Sequence, residues 1–288
     1  MTPKMVVIHN PAAKGTKAVR FTKQLHSLSP DLEVLATRTA DDACILTKNA
    51  IKNGARIIIA AGGDGTINQV VNGIADSDVT LGILPIGTMN VFAGELGIPS
   101  NIPKAWKIIQ NGHIRKIDLP MANAFYFVQL AGVGLDAQIV LETDADFRKN
   151  FGPLSYIISA THIASRRPPV LDVETADGRQ FQGSFLLIGN GRYYGGPFPI
   201  FKSAEFEDGK LDFLLFRKLG YLDIIRYLQN ILVGNHVNLR DVDYFQASSV
   251  KVTSENHVPV EIDGEVVGHT PFHFKLAPNK LSVFVASG

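Results

Sequence analysis

A lone cysteine, Cys44, stands among 288 residues, so no intramolecular disulfide can form and the fold does not depend on an oxidising compartment. Its place among apolar residues of an expected helix suits a small buried side chain. Excess charge is missing too. Lys and Arg number 28 against 27 Asp and Glu, a net charge of +1, whereas a general nucleic-acid binder shows a basic surplus. No apolar run approaches the ~20 residues that a membrane span needs. The apolar stretch from Met1 to Ile8 meets Asn10-Pro11 and is far too short for a signal peptide. These absences lead to the expectation of a cytoplasmic protein with no nucleic-acid partner and no transmembrane segment. His162 and His269 have no second ligand at zinc-like spacing, so neither is assigned to a metal. The chain lacks a Walker A sequence and the HRD and DFG motifs of protein kinases, and it carries no repeat or low-complexity tract.

What is present is a globular composition, 45% hydrophobic and 19% charged, with length enough for two domains. The first part alternates strands and helices, the pattern of a mostly parallel sheet with helices on its faces. Lys4–Ile8, Leu32–Thr37, Arg56–Ala61 and Leu81–Leu84 read as strands. Ile57-Ile58-Ile59 shows no polar alternation, as in a central strand buried on both faces. Ala43, Leu46, Ala50 and Ile51 recur at helical spacing, as do Ile67, Val70, Val71 and Ile74; Thr39 or Asp41 is the expected cap of the first of these helices.

After Asp118 the strands become alternating and the turns become Asp-Gly: Asp177-Gly178, Asp208-Gly209, Asp263-Gly264. Leu171–Thr175, Phe185–Ile188, Leu211–Phe216, Val250–Thr253 and Leu281–Val285 are expected to form an antiparallel sheet or sandwich, interrupted by helices near Gly152–Ser165 and Leu222–Leu232. The fold class is therefore α/β: a mostly parallel α/β domain over residues 1–121 and a β-rich, antiparallel sandwich-like domain over 122–288, with the boundary near 119–124.

The strongest chemical signal is Gly62-Gly63-Asp64-Gly65-Thr66, between a strand and a helix. Three glycines in four residues permit a tight turn and close approach to a ligand. Amides at a helix start favour phosphate. A tight βα turn that binds nothing has the same glycines, but the acid between them argues otherwise. Beside a phosphate cradle, a carboxylate is unfavourable unless a cation or a reacting proton lies between, so Asp64 suits a magnesium ligand or an aid to the nucleophile.

The run Ala61-Gly62-Gly63-Asp64-Gly65-Thr66-Ile67-Asn68 resembles the signature of the diacylglycerol kinase catalytic domain, a family related to sphingosine kinases and sharing its nucleotide fold with NAD kinases and phosphofructokinases. The resemblance extends in order along the chain: Asn10-Pro11, Gly87-Thr88-Met89-Asn90 with Phe92-Ala93, Gly132-Val133-Gly134-Leu135-Asp136-Ala137, Tyr194-Gly195-Gly196, Asp208-Gly209-Lys210-Leu211-Asp212 and Ile262-Asp263-Gly264-Glu265. It implies a lipid kinase that uses ATP and Mg²⁺, diacylglycerol being the first acceptor to consider, working transiently at a membrane surface. It also leaves a homodimer open.

By that resemblance Asn10, Pro11, Thr37, Gly62, Gly63, Asp64, Gly65, Thr66, Ile67, Asn68, Thr88 and Asn90 meet the nucleotide. Glu265 takes the hydroxyl proton, with Asp64 beside it in catalysis. Asp208, with the carbonyls of Glu205 and Lys210, holds a structural magnesium. Asp118 is either a water-mediated support for magnesium or a hinge acid. Read from the residues alone, Thr88 also suits a helix cap, and Asp208 and Glu265 suit solvated turn acids. Val91 departs from the family, many of whose bacterial members have Asp after the asparagine, so that acid's role is not carried over. Two rivals stand beside the lipid kinase: an NAD kinase-like phosphotransferase and a non-catalytic nucleotide-binding regulatory module. A helical stripe of Leu154, Ile157, Ile158 and Thr161 before Arg166-Arg167 reads as a membrane-facing helix or as one packed on the second domain's sheet. Phe198–Lys202 has the same two readings.

Overall fold

The computed structural model describes residues 3–11, 21, 29, 32–39, 42–142, 168–196 and 198–287. The expected helix at 152–165 and the two arginines after it lie outside these residues. The chain divides into two compact units, Met1–Leu119 with Pro278–Gly288, and Pro120–Ala277.

In the first unit, β1 (Met5–His9), β2 (Glu33–Ala36), β3 (Ile57–Gly62) and β4 (Thr80–Pro85) pair in parallel in the order β2-β1-β3-β4. β3 is buried at every position, as its unbroken β-branched run requires of a central strand. The sheet continues through the C-terminal strand Leu281–Phe284 to β5 (Ile114–Ile117). The division at residue 121 does not hold for the C-terminal strand: Leu281–Phe284, expected in the second domain, pairs with β4 in parallel and with β5 antiparallel. The return is fastened by the Lys280 ammonium, 2.8 Å from the carboxylate of the buried Asp118.

Helices α1 (Asp42–Lys52) and α2 (Asp64–Ile74) pack together at Gly73, where a Cβ would lie 2.6 Å from Thr47 Cβ. The side chain that takes the amides ahead of α1 is Asp42, which accepts from Arg38 and Thr39 at 2.6 and 3.0 Å. Ile67, Val70, Val71 and Ile74 are all buried. After β4 come the short α3 (Val91–Glu95) and then α4 (Ile102–Asn111), started by Asn101, whose side chain accepts from the Lys104 amide at 3.1 Å.

The second unit is a sandwich of two antiparallel sheets. Its strands are β6 (Pro120–Ala122), β7 (Phe125–Tyr126), β8 (Leu130–Val133), β9 (Leu171–Thr175), β10 (Gln180–Gly183), β11 (Phe185–Gly189), the small hairpin β12 (Tyr193–Tyr194) and β13 (Phe198–Pro199), then β14 (Leu211–Phe216), β15 (Val242–Ala247), β16 (Ser249–Thr253), β17 (Pro259–Ile262), β18 (Glu265–His269) and β19 (Phe272–Leu276). The orders are β10-β9-β16-β19-β6-β7 and β15-β14-β11-β8-β17-β18. Between the sheets, Ile188, Phe213, Leu215 and Val260 meet Val173, Val250, Val252 and Phe274. The second sheet also buries its other face, where Phe185, Leu214 and Phe216 pack with α5 (Leu135–Glu142) and α6 (Tyr221–Leu232). That double covering is why β14 is buried at all six positions rather than alternating as the sequence led one to expect.

Candidate functional site

In the first unit the expected nucleotide residues gather at the carboxyl ends of β1 to β4, the edge where open parallel sheets bind ligands. Asn10 donates from Nδ2 to Thr66 Oγ1 at 3.2 Å, tying the end of β1 to the start of α2. The Thr37 amide donates to His9 O at 2.8 Å, placing that threonine beside them. Gly63 caps α2 in extended backbone. The Ile67 amide donates to Gly63 O at 3.0 Å, and helix geometry leaves the amides of Gly65 and Thr66 with no acceptor inside the helix. Ile67 itself is wholly buried and seats the helix on the sheet; its side chain does not face the loop's open side.

The loops after β3 and β4 touch through glycine. A Cβ on Gly87 would fall 2.4 Å from Gly63 Cα, and one on Gly62 would fall 2.3 Å from Thr66 Cβ. Neither position tolerates a side chain without movement. Asn90, in the left-handed region at φ 50°, donates from Nδ2 to Gly87 O at 3.1 Å, while its buried Oδ1 has no donor. Thr88 and Met89 are exposed beside it. A cavity of about 340 Å³ opens here, lined by Ile86, Thr88, Asn90, Asn101, Pro103 and Phe21 among others, within the size range of small-molecule sites.

Asp64 turns toward α3. Its carboxylate accepts from the Phe92 amide at 3.3 Å, and the amides of Asn90 and Val91 also face it. Burial pushes its carboxyl above the usual range, against the lowering effect of those amides. The acid of one loop thus caps the helix of the next, a role that its place in the sequence does not show. His9 is a residue that sequence reasoning missed. It is buried against the Phe21 ring with Nε2 lacking a partner, and burial lowers its pKa.

In the second unit Asp263 and Gly264 both have positive φ, 45° and 88°, and Glu265 follows exposed at the start of β18. Asp263 is no solvated turn acid. Its carboxylate accepts the amides of Val128, Gln129 and Leu130 at 2.8, 3.0 and 3.0 Å. Behind the turn lie two buried acids, Glu261 on β17, which the sequence reading passed over, and Asp136 on α5, which it quoted in a motif without giving it a role. The available signal was a carboxylate inside an otherwise apolar strand, Val260-Glu261-Ile262.

Asp208, Glu205 and Lys210 are exposed near one another in a turn. Asp208 Oδ1 accepts the Lys210 amide at 3.0 Å. Beneath them Asp212 is buried, bonded by the Tyr244 hydroxyl and by Gln246 Nε2. Burial raises its carboxyl, and Asp208 adds to the rise. Tyr244 is pushed up to about 12, by burial first and by Asp212 second. No group of three or more His, Cys, Asp or Glu side chains arranged for a metal occurs among the described residues. No described helix is long and apolar enough to cross a membrane.

Residues 4–122 match the diacylglycerol kinase catalytic domain, and residues 129–285 match the YegS C-terminal NAD kinase beta sandwich-like domain. A Bacillus subtilis diacylglycerol kinase is 36% identical over 83% of this chain and 80% of its own length. One from Staphylococcus carnosus is 32% identical over 99% and 95%. The crystal structure of a Bacillus anthracis diacylglycerol kinase superposes with a TM-score of 0.80 at 28% identity, covering 98% of this chain and 97% of that one.

Proposed function

We propose, for a chain that belongs to the diacylglycerol kinase catalytic-domain family and is a lipid kinase, that the phosphoryl donor is ATP with Mg²⁺ and the acceptor is the hydroxyl of diacylglycerol. The observation that carries the nucleotide part is the glycine contact between the Gly62–Thr66 and Gly87–Asn90 loops. It leaves a side-chain-free surface beside two helix amides with no acceptor inside their own helix and the orphaned Asn90 Oδ1, which suits phosphates and a hydroxyl or amino donor of a nucleotide. The acceptor rests on the relatives' names, and on motifs matched along the whole chain.

The bound nucleotide and its cation would supply the γ-phosphoryl group and neutralise its charge. In this reading Gly62, Gly63, Gly65, Thr66, Thr88 and Asn90 orient the phosphates and the nucleoside, with Asn10, Pro11, Thr37 and Asn68 completing the edge. Asp64 is the carboxylate that fits a divalent ion, held in place by the amides of α3. Glu265, exposed and fixed by a well-tethered turn, accepts the hydroxyl proton. A hydroxyl is a weak nucleophile, and a carboxylate in hydrogen-bond reach removes its proton as transfer proceeds. Asp208, with the carbonyls of Glu205 and Lys210, would hold a second, structural magnesium. One carboxylate with carbonyls and water is a suitable donor set for a hard cation. The protein works at the membrane surface transiently, because its acceptor resides in a bilayer.

The test is transfer of label from γ-labelled ATP in mixed micelles. Labelled phosphatidic acid, formed only with diacylglycerol and magnesium together, is the expected result. Labelling of NAD with no product from a broad lipid panel would overturn the acceptor.

A further inference from the structure

Asp136 and Glu261 come together across β8. Helix α5 starts directly after β8, and β17 pairs with β8 so that Glu261 stands opposite Gly132. Gly132 is the shared floor: a Cβ there would fall 2.6 Å from Asp136 Oδ2 and 2.9 Å from Glu261 Oε1. Glu261 is fully buried and Asp136 is 4% exposed. Each has one oxygen engaged elsewhere. The Tyr194 hydroxyl donates to Asp136 Oδ1, and the Gly264 amide donates to Glu261 Oε2 at 2.8 Å. Glu261 Oε1 has no donor while both acids are ionised.

Two carboxyls in contact away from water do not both ionise. One proton between them converts repulsion into an O–H···O bond and satisfies the orphaned oxygen. The charge around Glu261 agrees. Asp136 faces it from α5, Asp263 lies on the turn, and Glu265 and His269 lie on the neighbouring β18, with His269 at its far end opposite Pro259. β8, Leu130–Val133, contributes no titratable group. Burial first and Asp136 second hold the Glu261 carboxyl well above its usual range.

We propose that Asp136 and Glu261 hold one proton between them, and that this bridged pair positions the Asp263-Gly264-Glu265 turn. The positioning half rests on the reading of Glu265 as proton acceptor. The turn is gripped from two sides. Asp263 takes three amides at the start of β8, those of Val128, Gln129 and Leu130, and Glu261 takes the Gly264 amide. Loss of the bridging proton places a second charge in the buried site. Glu261 then leaves Gly264 or admits water, and Glu265, one residue further on, loses its aim. Glu261 and Asp136 are positioning residues in this scheme, and the three segments containing Asp136, Tyr194 and Glu261 become one hydrogen-bonded unit.

The full chain, labelled with ¹³C at Asp and Glu carboxyls and ¹⁵N at Gly, is titrated by NMR, and steady-state kinetics are measured in parallel. One glutamate carboxyl is expected to stay at the protonated shift while the other glutamates ionise, to be missing in Glu261→Gln, and to titrate above its usual range together with the Gly264 amide. Glu261→Gln can still donate to Asp136 and accept from Gly264. It should retain kcat within a few-fold and lose the fall of kcat that accompanies that titration. Glu261→Ala should lose kcat by roughly 10²-fold with KM for ATP unchanged. Two ionised carboxyls, Asp136 and Glu261 both titrating in the usual carboxylate range, overturn the shared proton, and this reading needs only the wild type and the isosteric variant. A Gly264 amide that ignores the titration, or Glu261→Gln as impaired as Glu261→Ala, overturns the positioning. Full activity of Glu265→Gln would sink the proton-acceptor reading, while the carboxyl and amide resonances still decide the pair.

Discussion

The Asp64 carboxylate accepts a hydrogen bond from the Phe92 amide at 3.3 Å across 28 positions of sequence. It therefore has two tasks, one for the proposed cation and one for α3. Asp64→Asn keeps an acceptor oxygen but no charge. Turnover should fall by roughly 10²-fold or more, with a melting temperature close to wild type. Asp64→Ala should lose turnover and also about 1 kcal/mol of stability, the usual loss with a helix cap. Chemical denaturation of both variants beside a kinase assay checks this, and an active Asp64→Asn would make the residue a cap alone.

Gly87 faces Gly63 with no room for a methyl group. Gly87→Ala is expected to separate the two loops. Overpacking of that kind costs about 1–3 kcal/mol, and the displaced amides should weaken ATP binding. Calorimetric titration with a non-hydrolysable ATP analogue reads the effect directly. Unchanged affinity in a folded variant would mean that the phosphates bind elsewhere.

Glu265 is exposed and bears no part of the core. Glu265→Gln should fold normally and lose kcat by roughly 10²–10⁴-fold, the contribution of general-base catalysis. KM for ATP should stay near the wild-type value. If ATP binding weakens and kcat is spared, Asp64 becomes the leading candidate for the base.

Asp208 shares its turn with two backbone carbonyls above the buried Asp212. A protein that holds magnesium there should melt at higher temperature with the ion than with chelator, and Asp208→Ala should abolish most of that difference. Equal melts for wild type and variant under both conditions would remove the structural cation.

Glu261 gives stability a definite pH dependence. Its carboxyl is held protonated above the ordinary value of 4.5, so above that value the folded chain keeps a proton that the unfolded chain releases. Stability then falls as pH rises. The contribution is complete below about pH 4.5 and is lost upward through the folded value. Thermal melts of wild type and Glu261→Gln should converge at the acid end and diverge as pH rises, the wild type losing more. Parallel curves would show that Glu261 is ionised in the fold.

Some of this was decided by the sequence alone. β3 and α2 were legible because an unbroken Ile-Ile-Ile run and a 3.6-residue spacing are local statements about burial, and the glycines between them state a backbone requirement. The positive φ values of Asp263 and Gly264 follow equally from their residue types. What only tertiary structure decided concerns partners distant in sequence. Leu281–Phe284 alternates like any strand of the sandwich, and nothing in its residues says that β4 and β5 are its neighbours, since pairing depends on where the chain returns. Asp263 was readable as a turn residue but not as the acceptor of three amides from 128–130. Asp64 showed its charge and not its grip on α3. Asp136 and Glu261, 125 positions apart by their numbering, became a pair only when β17 was laid against β8. A side chain's type is written in the sequence, but its electrostatic environment is set by contacts that the fold alone supplies.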